Sequence, residues 1–121
     1  MRFTISLKKN YEFRRLYNRG KSAVSQYAVV YCRRNGGTHN RLGITVSTKI
    51  GGAVQRNLVR RRLKEIYRLN EDKITPGYDV VIVARTKSRF AGFYELEKSV
   101  LSIFKKLNIV TDATGFKPAG L

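Results

Sequence analysis

The chain has 121 residues, with 25 Lys and Arg against 8 Asp and Glu, so its formal charge is +17. With 42% hydrophobic residues it can still bury a core, which excludes a disordered basic tail. It contains no run near the roughly 20 apolar residues that a bilayer span needs and no secretory signal pattern. We therefore expect a cytoplasmic protein with no membrane partner.

A single cysteine, Cys32, and a single histidine, His39, limit the possible chemistry. One thiol cannot close an intrachain disulfide, and we expect no disulfide-linked partner. One His and one Cys cannot supply the three or four ligands of a zinc site. His39 is also the only possible histidine base for a nucleophile, and in its Gly/Asn-rich loop a solvated side chain is the simpler interpretation. We predict no catalytic residue on this chain.

Hydrophobic periodicity predicts a helix followed by two strands in the first part of the chain. The helix covers residues 8–19, where Phe13, Leu16 and Tyr17 share a face, and ends before Gly20. Residues 27–33 alternate as a strand, and 42–46 resume an extended pattern after a Gly-rich turn. We expect these two strands to pair as an antiparallel hairpin.

The second part adds a helix, a strand and a helix. Residues 53–69 lack Gly and Pro and predict a helix that ends near Asn70. Residues 79–85 are apolar, as in a strand buried on both faces, and we expect this strand to lie beside 42–46. An amphipathic helix follows over 91–107.

The predicted order α-β-β-α-β-α indicates a two-layer α/β sandwich with a small mixed sheet. Residues 1–110 form one predicted domain. The remaining tail, 111–121, shows no periodicity and is expected to be flexible.

The charge is concentrated in the first part of the chain. Residues 1–68 hold 17 basic and 2 acidic side chains, whereas residues 69–121 hold 8 and 6. Self-repulsion on this scale favours a polyanionic partner over a small neutral substrate. Nucleic acid is the leading candidate, and a membrane surface is the rival.

On an ideal helical wheel, one face of the helix at 53–69 is almost entirely cationic. This predicted face holds Arg56, Asn57, Arg60, Arg61, Lys64 and Arg68. The opposite arc, expected to pack on the sheet, holds Val54, Leu58, Val59, Leu63 and Ile66. Arg62 falls inside the apolar arc, so either its side chain reaches past the sheet edge or the helix is rotated from the ideal wheel.

A run of charges is usually a solvated helix face. Here Glu65 is the only acidic residue that could pair with the cations of this helix, and like charges three or four residues apart are destabilising. Phosphates would compensate them, since each Arg offers a bidentate fork to phosphate oxygens. Lys49 precedes the positive end of the same helix, whereas the phosphate-loop motif GxxxxGK[ST] is absent, which excludes a nucleotide-hydrolysing loop.

Aromatic residues suggest a second surface. Phe13 and Tyr17 lie four residues apart, and Tyr27 and Tyr31 share a face of the first predicted strand. The neighbouring cations include Lys8, Lys9 and Arg14. Rings among cations can stack unpaired bases, although the residues alone favour the simpler interpretation that these rings form core.

The segment from Ser47 to Arg61, STKIGGAVQRNLVRR, resembles the signature of the protein subunit of bacterial ribonuclease P. The features that carry the resemblance are a lysine, a glycine, and then AVxRNxxxR at the start of a helix. LKKNYEFRRLYNRG, GITVS and VVIVAR also resemble segments of that family. The resemblance covers residues 6–107.

This resemblance implies an RNA-binding subunit of a ribonucleoprotein whose catalytic RNA removes the 5′ leader from precursor tRNA. It implies Mg²⁺ held mainly by the RNA, and the fold of domain 2 of ribosomal protein S5 with a left-handed β-α-β crossover. The implied contacts to the catalytic RNA are Arg41, Lys49, Arg56, Asn57, Arg60, Arg61 and Lys64, to which the cationic arc adds Arg68. The implied leader cleft contains Phe13, Tyr17 and Tyr31, with Lys8, Lys9 and Arg14 beside it.

Two positions depart from the family pattern. Leu58 stands where the family often has a basic residue, and Arg62 stands where an apolar residue is commoner. The alternative function is that of a structural ribosomal protein or an RNA chaperone, which would share the charge and the basic helix.

Overall fold

A computed structural model describes residues 4–110 of the chain. The tail predicted from residue 111 lies outside the described residues. Within them, five strands form one sheet and three α-helices pack against it. The strands are β1 (Thr4–Ser6), β2 (Lys21–Val24), β3 (Ala28–Arg34), β4 (Asn40–Thr45) and β5 (Tyr78–Ala84). The helices are α1 (Asn10–Arg19), α2 (Ala53–Asn70) and α3 (Phe93–Lys106).

The sheet has the strand order β1-β4-β5-β3-β2. β4 and β5 are parallel neighbours with α2 between them in sequence, so the predicted β-α-β crossover and mixed sheet are confirmed. Its left-handed sense stays a prediction. β5 occupies the centre, and Val80, Val81 and Ile82 are fully buried, as expected of a strand covered on both faces.

The predicted hairpin between the strands at 27–33 and 42–46 is wrong. β3 pairs with β2 and β5, and β4 pairs with β1 and β5, so β5 lies between the two expected partners. The turn chemistry was recognised correctly, since Gly36 has a φ of +76° and Gly37 donates to Asn35. However, the most apolar strand gains most from burial between the other two, and it separates them.

Two short edge strands, β1 and β2, were not predicted. They have three and four residues, too few to show an alternating pattern. β1 lies parallel to β4, and β2 lies antiparallel to β3. They add one strand at each edge to the predicted order.

The main core lies between one face of the sheet and helices α2 and α3. The predicted alternation in β3 is confirmed, since Ala28, Val30 and Cys32 are buried in this core. Tyr27 was expected on the opposite face with Tyr31, but it precedes the strand and packs on the main core. A turn at Ser25, whose Oγ accepts from the amide of Tyr27, precedes the strand.

Helix α1 covers part of the opposite face of the sheet. Leu16 is 1% exposed and packs with Leu7 and Val81 in a second, smaller core. The Phe13 ring lies directly over Gly43 of β4, where a Cβ atom would stand 2.5 Å from the ring. Only glycine therefore lets α1 approach the sheet this closely.

An ion-pair network fixes the start of α1 to the sheet. Arg41 of β4 donates to both carboxylate oxygens of Asp79 on β5, at 2.8 and 2.7 Å. The same guanidinium donates to Oε2 of Glu12 in α1. Asn35 donates its side-chain amide to Asp79 at 3.0 Å. One arginine thus connects α1, β4 and β5.

The network changes the pKa values of Glu12 and Arg41. Burial alone would raise the pKa of Glu12, but the backbone amides of Lys9 and Lys8 and the charge of Arg41 together lower it. The hydrogen bonds to Asp79 raise the pKa of Arg41. Glu12 and Arg41 therefore both stay ionised at neutral pH.

We predict that Glu12→Gln destabilises the protein by about 1–3 kcal/mol at pH 7, because Arg41 loses a charged partner. The pKa of Glu12 is lower in the folded chain than its ordinary value of 4.5, so its stabilisation is complete above that value. It is lost as the pH falls through the folded pKa, and the two proteins should then converge in stability. Urea unfolding across pH 3–7 measures this. Glu65→Gln is the control, since Glu65 makes only an exposed pair on α2, and a loss as large as that of Glu12→Gln would contradict the prediction.

We also predict that Gly43→Ala destabilises the protein by about 1–3 kcal/mol, because the new methyl group displaces the Phe13 ring. Thermal unfolding followed by circular dichroism measures the change. Gly52→Ala is the matched control, since a Cβ there meets nothing within 4 Å and only the helix N-cap preference is affected. Equal melting temperatures for the two variants would show that α1 does not depend on Gly43.

Candidate nucleic-acid interface

The predicted cationic side chains of α2 lie on its solvent face or at its margin. Asn57, Arg60, Arg61, Lys64 and Arg68 are exposed, and Arg56 is half-buried. We call these six residues the cationic face. The buried side of α2 holds Val59, Leu63, Ile66, Tyr67 and Asn70.

Most of the charge on the cationic face has no acidic partner in the described part of the chain. Arg68 is the exception, because it donates to both carboxylate oxygens of Glu65 at 2.9 and 2.6 Å. These hydrogen bonds lower the pKa of Glu65. Arg60 donates to the side-chain oxygen of Asn57, which orients the guanidinium without neutralising it. Arg68 is therefore the member of this face least free to bind a phosphate.

The apolar side of α2 differs from the prediction at two positions. Val54 is 80% exposed and Leu58 is 39% exposed, so neither packs on the sheet. Tyr67 and Asn70 are buried instead, and the Tyr67 hydroxyl bonds to Thr4 Oγ1 at 2.9 Å. The buried side of α2 is therefore rotated toward Tyr67 relative to the ideal helical wheel. The sequence did not indicate this rotation, because β1, whose Thr4 bonds to Tyr67, was not predicted. Arg62 is half-buried at the margin of the buried side.

The start of α2 presents free backbone donors beside a lysine. Lys49 is exposed in a short 3-10 turn before the helix, and its amide donates to Ser47 Oγ. The N-cap is Gly52, so no side chain caps the first turn, and that turn contains no acidic residue. The positive end of the helix dipole therefore adds to the charge of the cationic face.

The predicted aromatic surface forms a cleft between α1 and the sheet. Tyr17 and Tyr31 meet edge to face with ring centroids 5.0 Å apart, and the Tyr17 hydroxyl bonds to Thr45 Oγ1 at 3.2 Å. Beside them is a cavity of about 410 Å³ lined by Asn10, Phe13, Arg14, Tyr17 and Thr45. We call this region the tyrosine cleft. Tyr17 is 39% exposed, and Lys8, Lys9 and Arg14 are exposed nearby.

A groove of about 810 Å³ along β1 joins the two surfaces. Lys8 and Phe13 line it from the side of the tyrosine cleft, and Arg60 and Lys64 line it from α2. The floor includes the exposed Ile5 of β1. Sequence reasoning missed this connection, because β1 has only three residues, too few to give a strand signal.

Arg41 was expected to contact RNA, but its guanidinium is shared between two carboxylates. It positions α1, and its RNA contact stays a prediction.

Cys32 is buried in the core, where desolvation raises the pKa of its thiol, and His39 is exposed in the β3–β4 loop as expected. Residues 4–110 contain no group of three His, Cys, Asp or Glu side chains that could hold a metal ion. Among the same residues, no helix is both long and apolar enough to span a bilayer.

Comparison with known proteins identifies relatives of this chain. The family model Ribonuclease P matches residues 1–108. A ribonuclease P protein component of Clostridioides difficile is 46% identical over 107 residues, which cover 88% of this chain and 94% of that protein.

Solved structures agree in fold. The ribonuclease P protein of Staphylococcus aureus superposes with a TM-score of 0.80 at 31% identity, covering 86% of this chain and 95% of that one. The Thermotoga maritima protein gives 0.77 at 33% identity, covering 84% and 96%. The predicted α/β fold class and the predicted resemblance are both confirmed. The chain belongs to the ribonuclease P protein family, and it is a protein component of that tRNA-processing endoribonuclease.

Proposed function

We propose that this protein binds the catalytic RNA through the cationic face and holds the single-stranded 5′ leader of precursor tRNA in the tyrosine cleft. The observation that carries the proposal is that the groove lined by Arg60 and Lys64 and the cavity beside Tyr17 share the Phe13 ring as a common wall. The protein assists the RNA by neutralising phosphate repulsion and by adding contacts to the leader.

The cationic face suits folded RNA. Arg60, Arg61 and Lys64 are exposed on one helix and have no acidic partner in the described part of the chain, so phosphates can approach without displacing an ion pair. Each phosphate contact releases condensed counterions, which makes binding favourable and dependent on salt. Lys49 and the uncapped amides of α2 extend this surface toward the helix start.

The tyrosine cleft suits an unpaired strand. Tyr17 and Tyr31 are fixed by their mutual contact and by the bond to Thr45, so their rings are already ordered before RNA binds. Stacking of a base on such a ring contributes about 1–3 kcal/mol. Lys8, Lys9 and Arg14 lie where the phosphates of that strand would pass.

The chemistry of cleavage is proposed to come from the RNA with Mg²⁺. Glu12 and Asp79 are the carboxylates nearest the tyrosine cleft along α1 and the sheet, and both are bonded to Arg41. They do not fit a metal site, because the Arg41 guanidinium already pairs with both carboxylates. Cytoplasmic location is part of the proposal, since both RNA partners are made there. The family assignment favours this function over that of a ribosomal protein or an RNA chaperone.

We predict that Arg60→Ala weakens binding to the catalytic RNA about tenfold at moderate salt, because one charged phosphate contact is lost. The slope of log Kd against log salt should fall by about 0.9. Filter binding measures both, and cleavage of precursor tRNA at low Mg²⁺ should need correspondingly more protein.

Lys98→Ala on the exposed side of α3 is the control for total charge, and it should change neither quantity. If wild-type protein gives no stimulation of cleavage, the ribosomal or chaperone alternative gains support. Cleavage by the protein freed of RNA would contradict the assignment of catalysis to the RNA.

We predict that Tyr31→Ala raises the Kd of the holoenzyme for precursor tRNA about tenfold and leaves mature tRNA binding unchanged, because only the precursor places a strand in the cleft. Tyr11→Ala is the matched control, since Tyr11 is an exposed tyrosine of α1 that contacts Arg15 rather than the cleft. An equal loss of affinity for precursor and mature tRNA would contradict the proposal that the tyrosine cleft binds the leader.

A further inference from the structure

A third exposed surface, outside the two RNA-binding regions above, contains aromatic and apolar side chains. Phe90, three residues before α3, is 77% exposed. Val54, on the first turn of α2, is 80% exposed. Exposure of a large side chain forgoes the gain from burial, so a group of them beside a basic helix calls for a partner.

The turn that carries Phe90 is held beside α2 by two arginine side chains. It is a 3-10 turn, Thr86–Phe90, that is tied to the region of α2 from both sides. Arg89 donates to the carbonyl of Ile50, just before α2, at 3.1 Å. Arg62 of α2 donates to the carbonyl of Ala91 at 3.0 Å. The backbone of the turn is therefore fixed beside α2, with Phe90 exposed.

Arg62 has a positioning role in this arrangement. Val54, Leu58 and Arg62 follow at intervals of four residues, so they form one ridge along α2. Because Arg62 bonds to Ala91, this ridge lies beside the turn that carries Phe90. The two positions that depart from the family pattern, Leu58 and Arg62, therefore meet at this third surface.

The charges around the ring favour a nucleotide as the occupant. The Arg89 guanidinium lies 4.9 Å from the centroid of the Phe90 ring, a cation–π contact that leaves most of the ring exposed. Lys87 is exposed in the same segment, whose first turn contains no acidic residue. A second copy of this chain would bring another formal charge of +17 against these cations. An exposed aromatic ring with Arg89 on it and Lys87 in the same turn matches an unpaired base with its phosphates.

We propose that Phe90 stacks an unpaired base of the catalytic RNA, with Arg89 and Lys87 contacting its phosphates. The inference rests on the proposed function and adds a contact on the α3 side of α2, away from the groove along β1. It assigns Arg62 to hold the turn rather than to replace the missing basic residue at position 58.

The test uses the absence of tryptophan from the sequence. In Phe90→Trp the new indole is the single fluorophore of its kind, and stacking with a base quenches it. We expect strong quenching when the catalytic RNA is added to the full-length protein and no change with a leader oligonucleotide alone. Leu69→Trp is the control, because Leu69 is an exposed apolar residue in the last turn of α2, eleven residues or about 16 Å beyond Leu58. Binding of the RNA without quenching of Phe90→Trp would overturn the proposal.

Affinity provides a second measurement. Phe90→Ala and Phe90→Leu should each raise the Kd for the catalytic RNA about tenfold, while Phe90→Tyr keeps the wild-type value, because leucine retains apolar area but cannot stack. Arg62→Ala should weaken binding about as much as Phe90→Ala and add little to it in the double variant. Equal affinity of the leucine variant and the wild type would indicate a simple apolar contact instead of stacking, and this result would contradict the proposal.

The outcomes separate this inference from the proposed function. If wild-type protein stimulates cleavage while Phe90→Ala binds and stimulates equally well, the inference fails and the function stands. If wild-type protein does not stimulate cleavage, the function itself fails. Sedimentation that shows a dimer of the wild type and a monomer of Phe90→Ala would assign this surface to a second copy instead of RNA.

Discussion

The close approach of Phe13 to Gly43 fixes where α1 lies on the sheet, and the RNA-binding surfaces depend on that position. The missing Cβ lets the ring rest on the strand, and Arg41 holds the start of the helix through Glu12 and Asp79. These contacts set the separation between Tyr17 and the strands beneath it. They also bring Phe13 to the wall of the groove along β1.

Acidic residues are used sparingly, and their placement decides which cations remain available. The first 68 residues contain two carboxylates, Glu12 and Glu65, and each is bonded to one arginine. Both ion pairs lie within the folded chain. Glu12 and Arg41 fix α1, and Glu65 and Arg68 form an exposed pair on α2. The remaining cations repel one another within the protein, and RNA binding relieves that repulsion. The same excess of positive charge that favours RNA binding therefore lowers the stability of the free protein.

Local pattern predicted much of this fold, because helices and interior strands carry their periodicity within ten to twenty residues. The predicted bounds of α2, α3, β3 and β5 lie within a few residues of those in the structure. The predicted pairing of β4 with β5 is also observed. The false hairpin and the two missed edge strands depend on contacts between residues far apart in sequence. The same holds for Val54 and Leu58, whose exposure follows from a rotation set by Tyr67. The cationic residues could be named from the helix alone, whereas the engagement of Arg41 and the groove joining the surfaces required the topology.

The central position of β5 has a consequence for synthesis of the protein. β3 and β4 are finished by residue 45, yet each finds its interior partner only in β5, which ends at residue 84. The basic helix α2 therefore leaves the ribosome before β5 can join the β1–β4 pair to the β2–β3 pair. The nascent chain therefore passes through a stage in which 17 of its 25 basic side chains are present and its core is incomplete, and non-local pairing of this kind also slows folding. A polyanion present at that stage would meet a flexible, strongly basic chain and shield it while the last strand arrives.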